Sequence, residues 1–135
     1  MDRHARPSRL ALRSHRTYRS PPLDVAVCTM LIKTPGAKVV FSTDATAGAH
    51  GRNAEEFIGR VQHCGQKPMA ALVSANSLAA DAIGMSNQLG VLAPGYDADI
   101  IAIDGDPVAD ITAVCRVVFV MRGGVVYKSA GSKTR

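Results

Sequence analysis

The feature that most constrains this chain is an apolar run that ends on an acid. Val39, Val40 and Phe41 are consecutive, with Lys38 as the only charge nearby, and Ser42-Thr43-Asp44 come directly after. Buried strands of parallel sheets read as continuous apolar runs rather than as alternations. Residues 37–41 therefore predict a buried strand. In parallel α/β folds the carboxyl ends of strands carry the active-site loops, and Asp44 holds that position. The small residues Ala45, Ala47, Gly48 and Ala49 would let a ligand come close. Taken alone, these residues also allow Asp44 to cap a turn, so both readings stay open at this point.

The chain beyond this loop fits an α/β protein. Asn53 with Glu56 three residues later reads as a capping box opening a helix over 54–64, with Phe57, Ile58 and Val61 on one side and Gly65 at its end. Pro68 suits the first turn of a helix over 69–75. Asn76 or Ser77 is placed to cap a third helix, from Leu78 to about Ile83. The character then changes. Residues 90–95 read as strand and turn, 99–103 as a short strand and 104–107 as a turn. Residues 114–121 and 125–128 read as two strands joined by Gly123-Gly124, a hairpin signal because both glycines tolerate positive φ. Residues 25–31 are apolar without a clear state.

Composition sets the outer bounds. At 135 residues and 47% apolar content the chain suits one domain with a core of Val, Ile, Leu, Ala and Met, since Trp is absent. No apolar run approaches the ~20 residues of a membrane span, so no membrane role is expected. The net charge of +5 belongs to residues 1–20, where six arginines face Asp2 alone; residues 21–135 hold ten basic and ten acidic side chains. Without a basic folded face and stacking aromatics, no nucleic-acid partner is expected. The Arg-rich start, with Pro7, Pro21 and Pro22, reads as an unstructured tail, as a transit peptide or as a misplaced start. Cys28, Cys64 and Cys115 are odd in number and widely spaced. They predict three unpaired thiols used in packing and a reducing, cytoplasmic setting.

Few other motifs compete. His50 and His63 have no metal spacing between them, and His63, late on a helix, reads as structural. The glycines fit no phosphate-binding or dinucleotide fingerprint, and Ser42 and Ser74 lack a nucleophile-elbow context.

Five blocks in unbroken order carry a resemblance: Val39-Val-Phe-Ser-Thr-Asp-Ala, Gly48-Ala-His-Gly-Arg-Asn-Ala-Glu-Glu, Lys67-Pro-Met-Ala-Ala-Leu, Gly90-Val-Leu-Ala-Pro-Gly-Tyr-Asp-Ala-Asp and Val120-Met-Arg-Gly-Gly-Val-Val-Tyr-Lys. Together, over roughly residues 36–128, they resemble the C-terminal end of the amidohydrolase superfamily, in its imidazolonepropionase-like and Xaa-Pro dipeptidase-like members. The resemblance implies an α/β fold: a C-terminal fragment of a (β/α)8 TIM-barrel metal-dependent hydrolase, with strands of a small composite β-sandwich. On that basis residues 1–27 are a tail, 28–89 the last barrel strand and its helices, 90–128 sandwich strands and 129–135 a polar tail.

The resemblance further implies that residues 39–41 form the eighth barrel strand. Asp44 is then both a metal contact and the catalytic acceptor of a water proton during attack on a carbon–nitrogen bond. A zinc-type divalent ion lowers the pKa of its water toward ~7, and a nearby carboxylate can take the proton. His50 and Arg52 fall on the loop that lines the substrate pocket, and Asp99 is structural. The implied substrate is a small amide, cyclic amide or dipeptide, and the implied assembly a homo-oligomer. The family's H-x-H, its bridging lysine and its histidines of strands five and six have no counterpart here. One carboxylate cannot hold an ion that needs three or more protein ligands, so the chain alone is expected to be inactive. The alternative expectation is a non-catalytic binding or oligomerisation module whose basic tail meets an anionic partner, in a salt-dependent manner.

Overall fold

A computed structural model describes residues 25–45 and 50–130. Four helices come first: α1 (Val25–Lys33), α2 (Glu55–Gln62), α3 (Pro68–Ala75) and α4 (Ser77–Ala82). The strands β1 (Ile100–Ile103), β2 (Val117–Arg122) and β3 (Val125–Ser129) come after them, with a 3-10 turn, Ile111–Cys115, between the first two. The three strands form an antiparallel sheet in the order β1-β2-β3. The Arg-rich tail, the polar C-terminus from Gly131 and loop residues 46–49 lie outside the described residues.

The expected helices lie close to where their sequences place them, but their starts differ. Pro68 opens α3 as expected. The capping box of α2 does not form: Ala54 stands at the cap with no side-chain hydrogen bond. Glu56 instead accepts from Arg60 Nε at 2.8 Å, one turn on, and a charged partner outcompetes a backbone N–H for a carboxylate. Asn76 does stand between α3 and α4, yet its Nδ2 donates back to Leu72 O at 2.8 Å rather than capping forward. Residues 25–31, unassigned by pattern, are helical in α1, which buries none of its residues.

The β region matches the hairpin reading most closely. Gly123 and Gly124 have φ of 55° and 80°, so both central turn residues sit in the left-handed region, as a two-residue hairpin between right-twisted strands requires. Arg122 pairs with Val125 across it. The Asp99 carboxylate secures the turn, accepting from Gly123 N at 2.7 Å, while Gly124 N reaches Ala98 O at 3.2 Å. Two strand expectations fail. Residues 90–95 form no strand, and residues 114–115 belong to the 3-10 turn rather than to β2. There Asp110 holds the chain in a tight turn by accepting from Thr112 N at 3.0 Å.

The core is small. Cys64, Ala71, Ala80, Ile111, Ala113 and Val114 are its buried apolar residues, gathered mainly where α2 packs on α3 and on the 3-10 turn. Large apolar side chains stay open on the helices, on the sheet and on the segment between them, among them Met30, Leu92, Ile101 and Tyr127, at 59%, 78%, 62% and 70% exposure. Every residue from Val117 to Met121 of the central strand is half-buried.

The expectation of three free thiols is also corrected. Cys28 and Cys64 are disulfide-bonded with their Cα atoms 5.7 Å apart, inside the range a disulfide spans. Cys115 is free and exposed. The pair joins α1 to the residue two beyond α2 and closes a loop with a separation of 36 residues. No spacing rule announces such a pair, because only the placement of the helices brings the two residues together.

Candidate functional site

The acid-bearing segment runs from the end of α1 to Ala45. Residues 37–41 are not a strand: they join no ladder, and the only sheet among the described residues is β1-β2-β3. A strand exists by pairing, and among the described residues no strand lies beside this apolar run to supply it. Side chains and helix carbonyls take over the anchoring. Phe41 N donates to Ser74 O at 3.0 Å, and Ser74 itself is buried. The Phe41 ring stacks on Phe57 of α2 with centroids 4.2 Å apart.

Arg60 closes this clamp, and sequence reasoning missed it. Its side chain is 8% exposed. Nε binds Glu56, Nη2 donates to Val40 O at 3.1 Å, and the guanidinium lies 5.4 Å from the Phe41 ring centroid. One residue thereby ties α2 to the backbone and to the side chain of the segment that ends in Asp44. The available signal was local: Glu56 and Arg60 stand four apart and Phe57 and Arg60 three apart, so all three share one helix face.

Asp44 emerges from the clamp exposed, with φ of 41°. It is the only non-glycine residue at positive φ among those described. Aspartate tolerates this region better than most residues, and such backbone is concentrated at turns and functional sites. Lys38, on the same segment, turns away to Asp81 at 3.0 Å in an exposed ion pair.

The remaining expected site residues are placed less favourably. His50 is exposed and opens the turn leading to α2. Arg52 forks onto Glu55, Nε to Oε1 at 2.7 Å and Nη2 to Oε2 at 2.6 Å. This pairing raises the Arg52 pKa through the hydrogen bond to Glu55, and lowers that of Glu55 for the same reason. The Arg52 fork is thus occupied rather than presented to a ligand. His63 is exposed at the end of α2. No group of three or more His, Cys, Asp or Glu able to hold a metal ion occurs among the described residues.

A separate open cleft of about 490 Å³ lies between α4 and the segment after it, with Ala79, Ile83, Leu89 and Leu92 in its lining and Asp97 and Asp99 at hand. Asp44, His50 and Arg52 do not line it, and Asp99 is already committed to the hairpin.

Ochratoxinase of Aspergillus niger is 32% identical over 100 residues, which are 71% of this chain and 20% of the enzyme. The crystal structure of a Xaa-Pro dipeptidase with methionine bound in its active site superposes with a TM-score of 0.66 at 35% identity, over 70% of this chain and 23% of that one. The crystal structure of A. niger ochratoxinase gives 0.55 at 30% identity, over 62% and 20%. The chain therefore spans about a fifth of the length of the curated relatives it matches. The model of the amidohydrolase family matches residues 2–127: this chain belongs to the amidohydrolase family.

Proposed function

We propose that this chain supplies the C-terminal, Asp44-bearing part of a metal-dependent hydrolase that opens carbon–nitrogen bonds in small amides, cyclic amides or dipeptides. In this reading Asp44 accepts the proton of the attacking water, and His50 on the Arg52-bearing turn borders the substrate. The observation that carries the proposal is the presentation of Asp44: exposed, in left-handed backbone, at the end of a segment gripped by Arg60 and Phe57. Anchoring the chain at Val40 and Phe41 limits the positions open to the Asp44 carboxylate, and limited positions are where bases gain their effect. The membership in the amidohydrolase family and the dipeptidase named among the similar structures support the choice of bond.

A divalent ion, zinc by the chemistry of such sites, would supply an acidified water in the complete enzyme. The described residues do not fit that ion by themselves: Asp44 is one ligand, no cluster of three donors surrounds it, and a catalytic zinc takes three from protein. The isolated chain is accordingly expected to bind zinc only weakly in equilibrium dialysis and to leave Xaa-Pro dipeptides intact. Dipeptide hydrolysis by the isolated chain, abolished by chelation and by Asp44→Asn, would overturn that expectation. The role of Asp44 is tested by placing residues 36–128 in a Xaa-Pro dipeptidase in exchange for the matching segment. In an active chimera Asp44→Asn should lower kcat by about 10²–10⁴ while KM changes little. Unchanged kcat would remove Asp44 from the mechanism.

A further inference from the structure

The Cys28–Cys64 bond does more than join two helices. The covalent ring it closes contains residues 37–41, Asp44, His50 and Arg52, which is every residue of the candidate site. One end of the ring, Cys64, is 1% exposed and fixed in the core. The other, Cys28, is half-buried on α1, a helix that buries none of its residues and leaves Val25, Val27, Met30 and Leu31 at 44%, 47%, 59% and 44% exposure. The segment between is held to the body by the Arg60 clamp, by Phe41 N on Ser74 O and by the exposed Lys38–Asp81 pair. Residues 37–41 have no strand ladder to secure them.

We infer that Cys28–Cys64 is a reversible redox latch that sets the order of α1 and of the segment leading to Asp44. The asymmetry of burial gives the exchange a direction. An outside dithiol sends one thiolate to the Cys28 sulfur, the more accessible of the two. The disulfide breaks, its electron pair leaves with the Cys64 sulfur, and Cys64 takes up a proton. The second thiol of the reagent then closes its own disulfide and releases Cys28 as a thiol, so two electrons and two protons pass from the dithiol to the protein. A small-molecule disulfide such as oxidised glutathione runs the same exchange in reverse and relatches the ring. Cys115 is free and exposed and lies outside the ring in sequence.

The test is hydrogen exchange read by mass spectrometry on the full chain carrying Cys115→Ser, equilibrated with oxidised glutathione or with dithiothreitol. It stands on the disulfide alone, so its failure would leave the hydrolase reading untouched. Under oxidation no free thiol should titrate; after reduction two should. Amide exchange over residues 25–45 should rise by about tenfold or more on reduction, while β2 and β3 keep their protection. Cys28→Ser should exchange like the reduced protein and ignore dithiothreitol. Two free thiols under oxidation would overturn the latch, as would exchange over 25–45 that reduction does not change. Loss of protection across the sheet on reduction would overturn it as well, by making the bond a staple of the whole fold.

Discussion

Arg60 spends its guanidinium on three partners at once, and still leaves Nη1 buried without a hydrogen bond. Burial of a cation is tolerated only with a close counter-charge and further acceptors, here Glu56 and Val40 O. Arg60→Ala removes both bonds and the contact with Phe41, and leaves Glu56 unpaired at 22% exposure. Because Glu56 retains some water, the cost should fall short of a fully buried pair, at about 2 kcal/mol. Urea denaturation monitored by circular dichroism reads this as a lower midpoint at unchanged slope. Lys38→Ala, which removes an ion pair exposed at 72% and 52%, should cost no more than about 0.5 kcal/mol by the same measurement. The contrast comes from solvent: water screens the second pair far more than the first.

Among the elements, the 3-10 turn is one whose stability should depend on pH. Asp110 accepts from Thr112 Oγ1 at 2.6 Å, from Thr112 N at 3.0 Å and from Arg116 Nη2 at 3.2 Å. These bonds, the Thr112 hydroxyl first, hold its carboxyl pKa below the ordinary value. A group with a depressed folded pKa contributes stability above its unfolded value, and loses it as pH falls through the folded one. The contribution should therefore be complete above about pH 4 and disappear below it. Asp110→Ala should flatten this acid limb in thermal melts taken between neutral and strongly acid pH. An unaltered limb would show that Asp110 does not govern it. Neither the turn nor its cap was legible as such: Asp110-Ile-Thr sits before a β-branched run that reads more simply as strand. The Gly-Gly hairpin was legible, because only glycine takes two successive positive φ values at little cost.

At the scale of the whole molecule, Gly90 marks where the helices meet the chain that leads to the sheet. It has φ of 90°, and a Cβ there would lie 2.9 Å from Ala80 Cβ, Asn76 O and Ser77 Cα. Two of these atoms are backbone, so the crowding cannot be relieved by turning a side chain. Gly90→Ala combines that clash with left-handed strain and should cost about 2 kcal/mol or more, seen as a lower thermal midpoint. A midpoint within a degree of the parent would mean that the segment is free to move off α4.

What the sequence determined alone was local. Proline and glycine positions mark where the helices start and stop, and Gly123-Gly124 specifies the hairpin. The apolar run of residues 39–41 delivers an acid to a loop of small residues. These come from the φ preferences and side-chain periodicity of neighbouring residues, which need no partner elsewhere. Tertiary structure decided the relations between distant residues. It paired Cys28 with Cys64 and buried Arg60 against Val40 and Phe41. It also turned Asn76 back onto its own helix, and left residues 37–41 gripped by side chains instead of laddered as a strand. An apolar run can announce that it is to be buried, but a strand is made by its neighbours, and a disulfide by the distance between two Cα atoms.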